Sequence, residues 1–286
     1  MIRVLLALVG LLCLAACSDP PKSDWPEPSP ALWEVTGPNE EKGWLFGTIH
    51  ALPEGAEWRT PTIDAALGEA GLLVVEVSNL GDAPGASQAF TAFAAGRDLP
   101  PLLERVPPES RPALSAALER AGLDASDLAA TDSWAAALLI ANALRSGSSS
   151  NGVDRALLSR GMRTVALESY VEQFAMFDRL APEDQQVLLV DTAERSTPAA
   201  ERALVNAWIA GDTETIEGEM NSGLLSDPEL RKALLIDRNT AWVERIVSYL
   251  DNGRRPFVAV GAAHMLGPDG LVALLEQQGY TVRRLH

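Results

Sequence analysis

The sequence contains few cysteines and few histidines, and both facts limit the catalytic chemistry that its side chains can perform. Its two cysteines, Cys13 and Cys17, lie within the first 17 of 286 residues. The rest of the chain therefore has neither a nucleophilic thiol nor a disulfide. Three histidines occur in all, His50, His264 and His286, and the last of them ends the chain. Any imidazole chemistry inside the chain depends on the first two.

Positive charge is also scarce, which excludes two classes of partner. The chain has 23 Lys and Arg against 39 Asp and Glu, for a net charge of −16. Nucleic acid is excluded because its recognition needs clustered basic side chains. The same charge argues against docking on anionic lipid. With 47% hydrophobic residues the chain can bury a full core in one large domain or two small ones.

Long hydrophobic runs are absent except at the N-terminus. The apolar stretch 4–16 is too short for a membrane-spanning helix and follows a single arginine, which is typical of a secretory signal peptide over residues 1–16. Residues 14–17 read Leu-Ala-Ala-Cys and resemble a bacterial lipobox. The lipobox implies cleavage before Cys17 and a lipid on its sulfur. Ordinary signal cleavage beside a coincidental cysteine is the alternative.

The residues after Cys17 indicate where the chain is anchored. Ser18 follows the cysteine, and no aspartate stands there. By resemblance to bacterial sorting rules this favours the periplasmic face of the outer membrane over the inner membrane. Residues 17–30 are rich in proline and serine and are predicted to form a flexible tether. The folded domain is then expected over residues 31–286.

Periodicity predicts an α/β chain of the mixed α+β kind. Strands are expected at residues 32–35, 44–47, 72–77, 164–168, 257–260 and 280–285. A helix over residues 60–70 makes the first unit strand, helix, strand. Two such βαβ-like halves are predicted to form a mixed sheet and to bracket a large helical insertion, about 82–160 and 170–250. That insertion is expected to roof a cleft.

Both internal histidines lie in the same motif. A short apolar strand, a glycine and two small or β-branched residues precede each imidazole, in Gly47-Thr48-Ile49-His50 and in Gly261-Ala262-Ala263-His264. Open α/β sheets bind their ligands at the carboxyl ends of strands. The two imidazoles are therefore expected in one cleft. A further helix is expected to begin after Gly267-Pro268.

Two glutamates interrupt apolar strands, and both are candidate site residues. Glu76 and Glu168 would be costly to bury unless each were paired or bound to a metal ion. Two imidazoles and one carboxylate can hold a divalent ion, with the other carboxylate as a base for water. The alternatives are structural: a strand-end histidine can bond loop carbonyls, and a buried glutamate can pair with an arginine.

Other polar and aromatic residues have weaker signals. Asp154 begins a predicted helix, where an acid is favoured by the helix dipole alone. Arg238 and Asn239 lie in a helix among apolar residues and could balance a buried carboxylate or face solvent. The tryptophans in helical patterns, Trp134, Trp208 and Trp242, are predicted core residues.

Taken in order, these segments resemble the TraB/PrgY/GumN family. The resemblance extends from about Trp33 to Leu285 and depends on the order and spacing of motifs that are individually weak. They are Leu45–His50, Glu76, Gly152-Val153-Asp154, Leu167-Glu168 with Gln173, Arg238-Asn239 and Val260–Gly267.

The resemblance implies a metal-dependent hydrolase, and less directly a peptidase. The family includes the TIKI metalloproteases, whose two G-x-x-H motifs and a glutamate form the active site with manganese or cobalt. Carried over, the matching residues are His50, His264 and Glu76, and the residue types also admit zinc. The broader superfamily, which includes erythromycin esterase and the haem-binding lipoprotein ChaN, implies the same α/β fold.

The expected mechanism is metal-assisted hydrolysis of a peptide or other small substrate. His50 and His264 would hold the ion, Glu76 would ligate it or activate its water, and the ion would polarise the scissile carbonyl. Asp154 and Glu168 would orient the imidazoles. Arg238 would stabilise the oxyanion, and Asn239 would position the substrate. The alternative is an envelope lipoprotein that binds haem or peptide without catalysis. None of the three tyrosines adjoins a G-x-x-H motif, which counts against haem.

Overall fold

The structure is a computed structural model, and it describes residues 24–286. The predicted signal peptide and the lipidation site Cys17 lie outside the described residues. Within the described range, no helix is both long enough and apolar enough to span a bilayer.

One mixed sheet is the centre of the fold. Within the described residues its six strands are β1 (Leu32–Thr36), β2 (Lys42–Thr48), β3 (Leu72–Val75), β4 (Thr164–Ala166), β5 (Pro256–Gly261) and β6 (Thr281–Arg284). They lie in the order β4-β3-β5-β2-β1-β6. The first four in this order are parallel, and β1 is antiparallel to β2 and β6. The mixed α/β class is therefore confirmed.

The two predicted halves interleave instead of lying side by side. Strand β5, from the C-terminal part of the chain, lies between β2 and β3 and pairs with both. Periodicity detects each strand but not its neighbours, because pairing depends on contacts far apart in sequence. As a result, the two G-x-x-H motifs follow adjacent strands.

Helices connect consecutive strands except β1 and β2, which follow each other directly. The α-helices are α1 (Pro61–Glu69), α2 (Ala83–Ala94), α3 (Arg111–Ala121), α4 (Ser133–Leu144), α5 (Val153–Leu158), α6 (Tyr170–Asp178), α7 (Pro182–Arg195), α8 (Pro198–Ala210), α9 (Thr213–Ser222), α10 (Pro228–Arg231), α11 (Asp237–Asp251) and α12 (Leu271–Gln277). A π-helical turn, Lys232–Ile236, joins α10 to α11.

Caps explain most of the helix boundaries, and one predicted boundary is wrong. The Thr60 hydroxyl accepts the Ile63 N–H and begins α1. The last helix, expected directly after Gly267-Pro268, begins only at Leu271. Gly267 has φ +74° and its carbonyl accepts the Gly270 N–H, so a turn precedes the helix.

The predicted helical insertion divides between two hydrophobic cores. Helices α2, α3, α4 and α7 form a second core around Trp134, away from the sheet. Helices α8, α9 and α11 pack on the sheet instead, with Trp208 and Trp242 in its core. All three tryptophans are buried, as predicted. The roof over the strand ends therefore comes only from the later part of the insertion.

The last residues of the predicted tether contact the folded body. Trp25 packs against the first core, and the Arg202 guanidinium lies 4.5 Å from its ring. The Ser29 N–H donates to the Ile209 carbonyl at 2.7 Å. Residues 24–30 therefore do not form a free tether, because a tryptophan in this stretch gains apolar burial by packing on α8.

Candidate functional site

The carboxyl ends of four parallel strands present the predicted site residues side by side. In sheet order, Glu168 follows β4, Glu76 follows β3, His264 follows β5 and His50 follows β2. This is the edge at which open α/β sheets bind ligands. The four residues span more than 200 positions of sequence, and strand pairing alone brings them together.

A cavity of about 350 Å³ lies over these strand ends. His50, Glu76, His264 and Arg238 line its floor, together with the glycine and two alanines of the second G-x-x-H motif. Its remaining walls come from β2, α8 and α9, through Thr48, Ile49, Leu204, Trp208, Ile216, Glu219 and Met220. The cavity thus combines a polar floor with an apolar roof, as small-molecule sites commonly do.

The His50 imidazole is fixed by a buried carboxylate. Its Nδ1 lies 2.9 Å from Oδ2 of Asp154, whose Oδ1 accepts the Thr48 hydroxyl at 2.7 Å. This hydrogen bond raises the pKa of His50 to about 9. The side chain of His50 is 60% exposed. Its Nε2 has no hydrogen-bond partner within residues 24–286, so it is open to the cavity.

The start of α5 places Asp154 beneath His50. The Val153 N–H donates to the Ile49 carbonyl at 3.1 Å. A Cβ on Gly152 would lie 2.1 Å from the His50 carbonyl oxygen, so only glycine allows this approach. In the Gly152-Val153-Asp154 sequence, the glycine is therefore needed for the close backbone approach, and the aspartate provides the charge beside His50.

The His264 imidazole is fixed by a buried amide. Its Nδ1 lies 2.7 Å from Oδ1 of Asn239. The Asn239 NH₂ group donates to the carbonyls of His264 (3.2 Å) and Asp269 (2.8 Å), so Oδ1 must be the atom that accepts. His264 therefore carries its proton on Nδ1 and directs the Nε2 lone pair towards Arg238. Burial lowers the pKa of His264 to about 3.

The Glu76 carboxylate joins the two strand ends. Its Oε1 accepts the Gly261 N–H at 2.7 Å, and its Oε2 accepts from Arg238 at 3.0 Å and from Gln173 at 3.4 Å. Burial alone would raise the pKa of Glu76. Nearby positive charges, on His264 when protonated and on Arg238, lower that pKa to about 2. Glu76 is therefore ionised at neutral pH.

Arg238 uses all five of its N–H groups within the protein. Its Nε and Nη2 bind the two oxygens of Glu168 at 2.9 Å each, and the second Nη2 hydrogen reaches Glu76. Its Nη1 donates to the Leu234 carbonyl and to Nε2 of His264, both at 3.1 Å. No N–H remains for a substrate oxyanion in this arrangement. The predicted oxyanion role is not supported by these contacts, and neither is the solvent-facing alternative.

Two other predicted roles also change. Asn239 is fully buried and does not line the cavity, so it positions His264 and cannot position a substrate directly. Glu168 contacts Arg238 and no imidazole, because the guanidinium lies between them. Asp154 is placed as expected, on the Nδ1 of His50.

The predicted metal ligands share the cavity but do not form a complete ligand set as placed. In the part of the chain that the structure describes, no three His, Cys, Asp or Glu side chains are arranged to hold an ion. The reason is local: Arg238 donates to Nε2 of His264 and adds a fixed positive charge there. The groups without a partner at this point are the His50 Nε2, which would have to lose its proton to bind an ion, and a lone pair on Glu76. A three-ligand site therefore does not fit this arrangement.

Two of the tryptophans contact the site, which their spacing in the sequence does not indicate. Trp208 Nε1 donates to the Gly47 carbonyl at 2.8 Å, and the residue also lines the cavity. Trp242 packs on His264, with ring centroids 4.5 Å apart, and lies 4.6 Å from the Arg238 guanidinium. Helical spacing predicts their burial but contains no signal for these partners.

Fold and site together define a class: a mixed α/β protein with two imidazoles and a buried arginine–carboxylate network at neighbouring strand ends. The family model described as the TraB/PrgY/gumN family matches residues 31–284, nearly the whole chain. The chain belongs to this family. A search of curated proteins found no match. A search of solved structures likewise found none.

Proposed function

We propose that this protein is a hydrolase that acts on peptides or other small acyl substrates in the cavity over the strand ends. One observation carries the proposal. Two imidazoles from distant parts of the chain line one cavity beside an ionised carboxylate, and each imidazole has its Nδ1 fixed by a buried acceptor. Acid–base sites and metal sites both require imidazoles whose orientation is fixed in this way.

The protonation states assign different tasks to the two imidazoles. With a pKa near 9, His50 carries a proton on the exposed Nε2 at neutral pH and can donate it to a leaving group. Glu76 is ionised, and an Oε1 lone pair can take the proton of the water as its oxygen bonds to the acyl carbon. This proton balances the one that His50 gives to the leaving group as the scissile bond breaks. His264 stays neutral and holds Arg238 beside Glu76.

A divalent metal ion remains a prediction of the family resemblance. Manganese, cobalt or zinc would use His50, His264 and Glu76, and His264 could take part only if Arg238 released its Nε2. Because the residues as placed do not provide three open ligands, we route no step through an ion. Metal analysis of the purified protein, against the His50→Ala/His264→Ala double variant, tests the prediction directly.

The walls of the cavity support an extended substrate with apolar groups. Leu204, Trp208, Ile216 and Met220 provide the roof, so most of the cavity wall opposite the strand ends is apolar. Peptide side chains match such a surface. Haem ligation by tyrosine has no support at this cavity, because none of the three tyrosines lines it.

We also propose that the protein is anchored in the bacterial envelope by lipid on Cys17, at the periplasmic face of the outer membrane. The support comes from the sequence of the N-terminus, which lies outside the described residues. Metabolic labelling with palmitate, lost in Cys17→Ser, is the expected result. Labelling that persists in Cys17→Ser would contradict lipid attachment at this residue.

Hydrolysis can be tested with a matched histidine control. Purified wild type and the His50→Ala and His286→Ala variants are incubated with a synthetic peptide library, with and without added Mn²⁺, Co²⁺ or Zn²⁺, and products are read by mass spectrometry. His286 contacts Ser29 and Thr60 and does not line the cavity. We expect cleavage by wild type and His286→Ala and a loss of at least a hundredfold in His50→Ala.

Two outcomes would overturn the proposal. Cleavage that survives His50→Ala would place the activity elsewhere or in a contaminant. Peptide binding without turnover, equal with and without metal, would instead identify a binding protein.

A further inference from the structure

A second cavity adjoins the first and has no role in the chemistry described above. It has a volume of about 550 Å³ and shares two lining residues, Leu204 and Glu219, with the cavity over the strand ends. Its walls come from the end of α4, the end of α7, the first half of α8 and α9. A substrate longer than the first cavity would therefore extend into the second.

The second cavity contains one charged side chain whose hydrogen-bonding groups are free. Arg195 pairs with Glu219, and Glu201 accepts the backbone and hydroxyl of Ser146. Glu194 accepts the Ser110 hydroxyl. In the described part of the chain the Arg145 guanidinium has no hydrogen bond or ion pair, although it lines this cavity and is exposed.

The backbone around Arg145 is held in place relative to His50. Arg145 is the C-cap residue that follows α4, and the N–H of the next residue, Ser146, donates to Glu201 on α8. Two residues further on, Ser148 forms an isolated β-bridge with Leu52, with N–H donation in both directions. Leu52 lies two residues after His50. One loop therefore places a free guanidinium and a catalytic candidate at a defined separation.

The Arg145 guanidinium acts on the His50 imidazole as a like charge and lowers the pKa of His50, against the larger effect of Asp154. An arginine whose backbone neighbours are held near a reacting centre, and whose donors are unused, matches a carboxylate in geometry and charge.

We propose that Arg145 binds a carboxylate group of the substrate in the second cavity while the scissile bond lies in the first. The proposal rests on the proposed function, because it takes the first cavity as the reacting site. Three carboxylates, Glu194, Glu201 and Glu219, also line the second cavity. A singly charged carboxylate is therefore accepted more easily than a dianionic phosphate, which these acids repel more strongly.

The carboxylate is either the C-terminus of a peptide or an acidic side chain. Four peptides distinguish these two sources. Acetyl-trialanine is compared as the free acid and as the C-terminal amide. Acetyl-Ala-Glu-Ala-amide is compared with its Gln analogue. Binding is followed by tryptophan fluorescence, since Trp208 lines the first cavity, and hydrolysis is followed in parallel by mass spectrometry. The variants of the full chain are Arg145→Gln and Arg145→Lys, with Arg97→Gln as an exposed arginine that lines neither cavity.

We expect wild type to prefer the free acid, or the Glu peptide, over its neutral partner by about ten- to a hundredfold in affinity. Arg145→Gln should abolish the preference by weakening only the charged peptide, and Arg145→Lys should restore part of it. Where hydrolysis occurs, the loss should fall on KM and leave kcat unchanged. Arg97→Gln should behave as wild type.

The outcomes separate this proposal from the proposed function. Equal binding of charged and neutral peptides in wild type, or a preference that survives Arg145→Gln, overturns the carboxylate site. A preference that depends on Arg145 without any hydrolysis supports the carboxylate site and contradicts the hydrolase.

Discussion

The two G-x-x-H strand ends have nearly the same local sequence but opposite environments. The His50 side chain is 60% exposed, faces a carboxylate and is held in its charged form. His264 is only 6% exposed, faces an amide and is held neutral. Each motif fixes the position of an imidazole but not its protonation state. The acceptor on Nδ1 comes from another part of the chain and decides the protonation state.

The difference shows how one repeated motif can supply two functions. A charged imidazole open to the cavity can donate a proton to a substrate. A neutral imidazole under the roof can accept a hydrogen bond from Arg238 and keep it beside Glu76. We infer that the two ends are complementary parts of one site and not duplicate ligands.

The largest expected effect on stability follows from removing Arg238. This arginine donates to His264 and has no contact with His50. Arg238→Leu leaves the carboxylates of Glu76 and Glu168 buried without their partner. Breaking a buried ion pair from one side costs about 3 to 5 kcal/mol of unfolding free energy. Urea denaturation measures the loss.

A surface arginine provides the control for this prediction. Arg283 pairs with Glu34 while 66% exposed, and Arg283→Leu should cost less than about 1 kcal/mol. Similar losses in the two variants would show that the network around Arg238 is not buried as described.

The next effect compares the two Nδ1 partners. Asn239→Ala leaves the His264 N–H and two backbone carbonyls unpaired in the core, and we expect a loss of about 3 kcal/mol. Asp154→Ala should cost less, about 1 to 2 kcal/mol, because water reaches the exposed His50. A reversed order, measured by urea denaturation, would contradict the contrast between the strand ends.

Opposite pH dependences are expected from the two imidazoles. The folded pKa of His264 is lowered to about 3, so below pH 6.5 the unfolded chain binds a proton that the folded chain does not. Stability should therefore fall as the pH decreases from 6.5 towards 3, by at most about 1.4 kcal/mol per pH unit. Replacement by His264→Gln should flatten this slope.

The His50 contribution has the other sign. Its folded pKa is raised to about 9, so its stabilisation is complete below pH 6.5 and is lost as the pH rises through 9. Solvent screening makes this effect smaller. NMR titration checks both assignments, and His50 in Asp154→Asn should titrate closer to its ordinary value. A His264 resonance that titrates near pH 6.5 would contradict the buried neutral form.

The smallest effects concern the glycines that begin the motifs. A Cβ on Gly47 would lie 2.9 Å from the Ala262 Cα, so Gly47→Ala must displace backbone, at about 1 to 2 kcal/mol. On Gly261 it would lie 3.2 Å from the Glu76 Oε1 and 3.7 Å, an ordinary contact distance, from the His264 ring. Gly261→Ala should therefore cost about 1 kcal/mol or less and act mainly on the carboxylate. Thermal unfolding ranks the two variants.

Local sequence predicted much of the fold. Strand ends at both G-x-x-H motifs, the helix begun by Thr60-Pro61 and the burial of Trp134 follow from short-range patterns. The start of the last helix was wrong, since the turn at Gly267 delays it. The interleaving of β5 between β2 and β3 was not predicted, because strand order depends on long-range contacts.

The sequence predicted residues that line the cavity, but not the contacts that decide their roles. His50, Glu76 and His264 do line one cavity. The partners of Arg238 were not foreseeable, because a single arginine in a helix has the same sequence pattern whether it faces solvent or two carboxylates. Arg145 had no signal at all, since its importance depends on a cavity formed by α4, α7, α8 and α9.

By itself, the sequence determined the family, the mixed α/β class and the presence of two imidazoles at strand ends. Tertiary structure alone decided which imidazole is charged, which carboxylates Arg238 neutralises and which ligand positions remain open. The physical reason is that strand and turn formation depend on neighbouring residues. Protonation and access depend instead on burial and on partners that folding brings from distant parts of the chain.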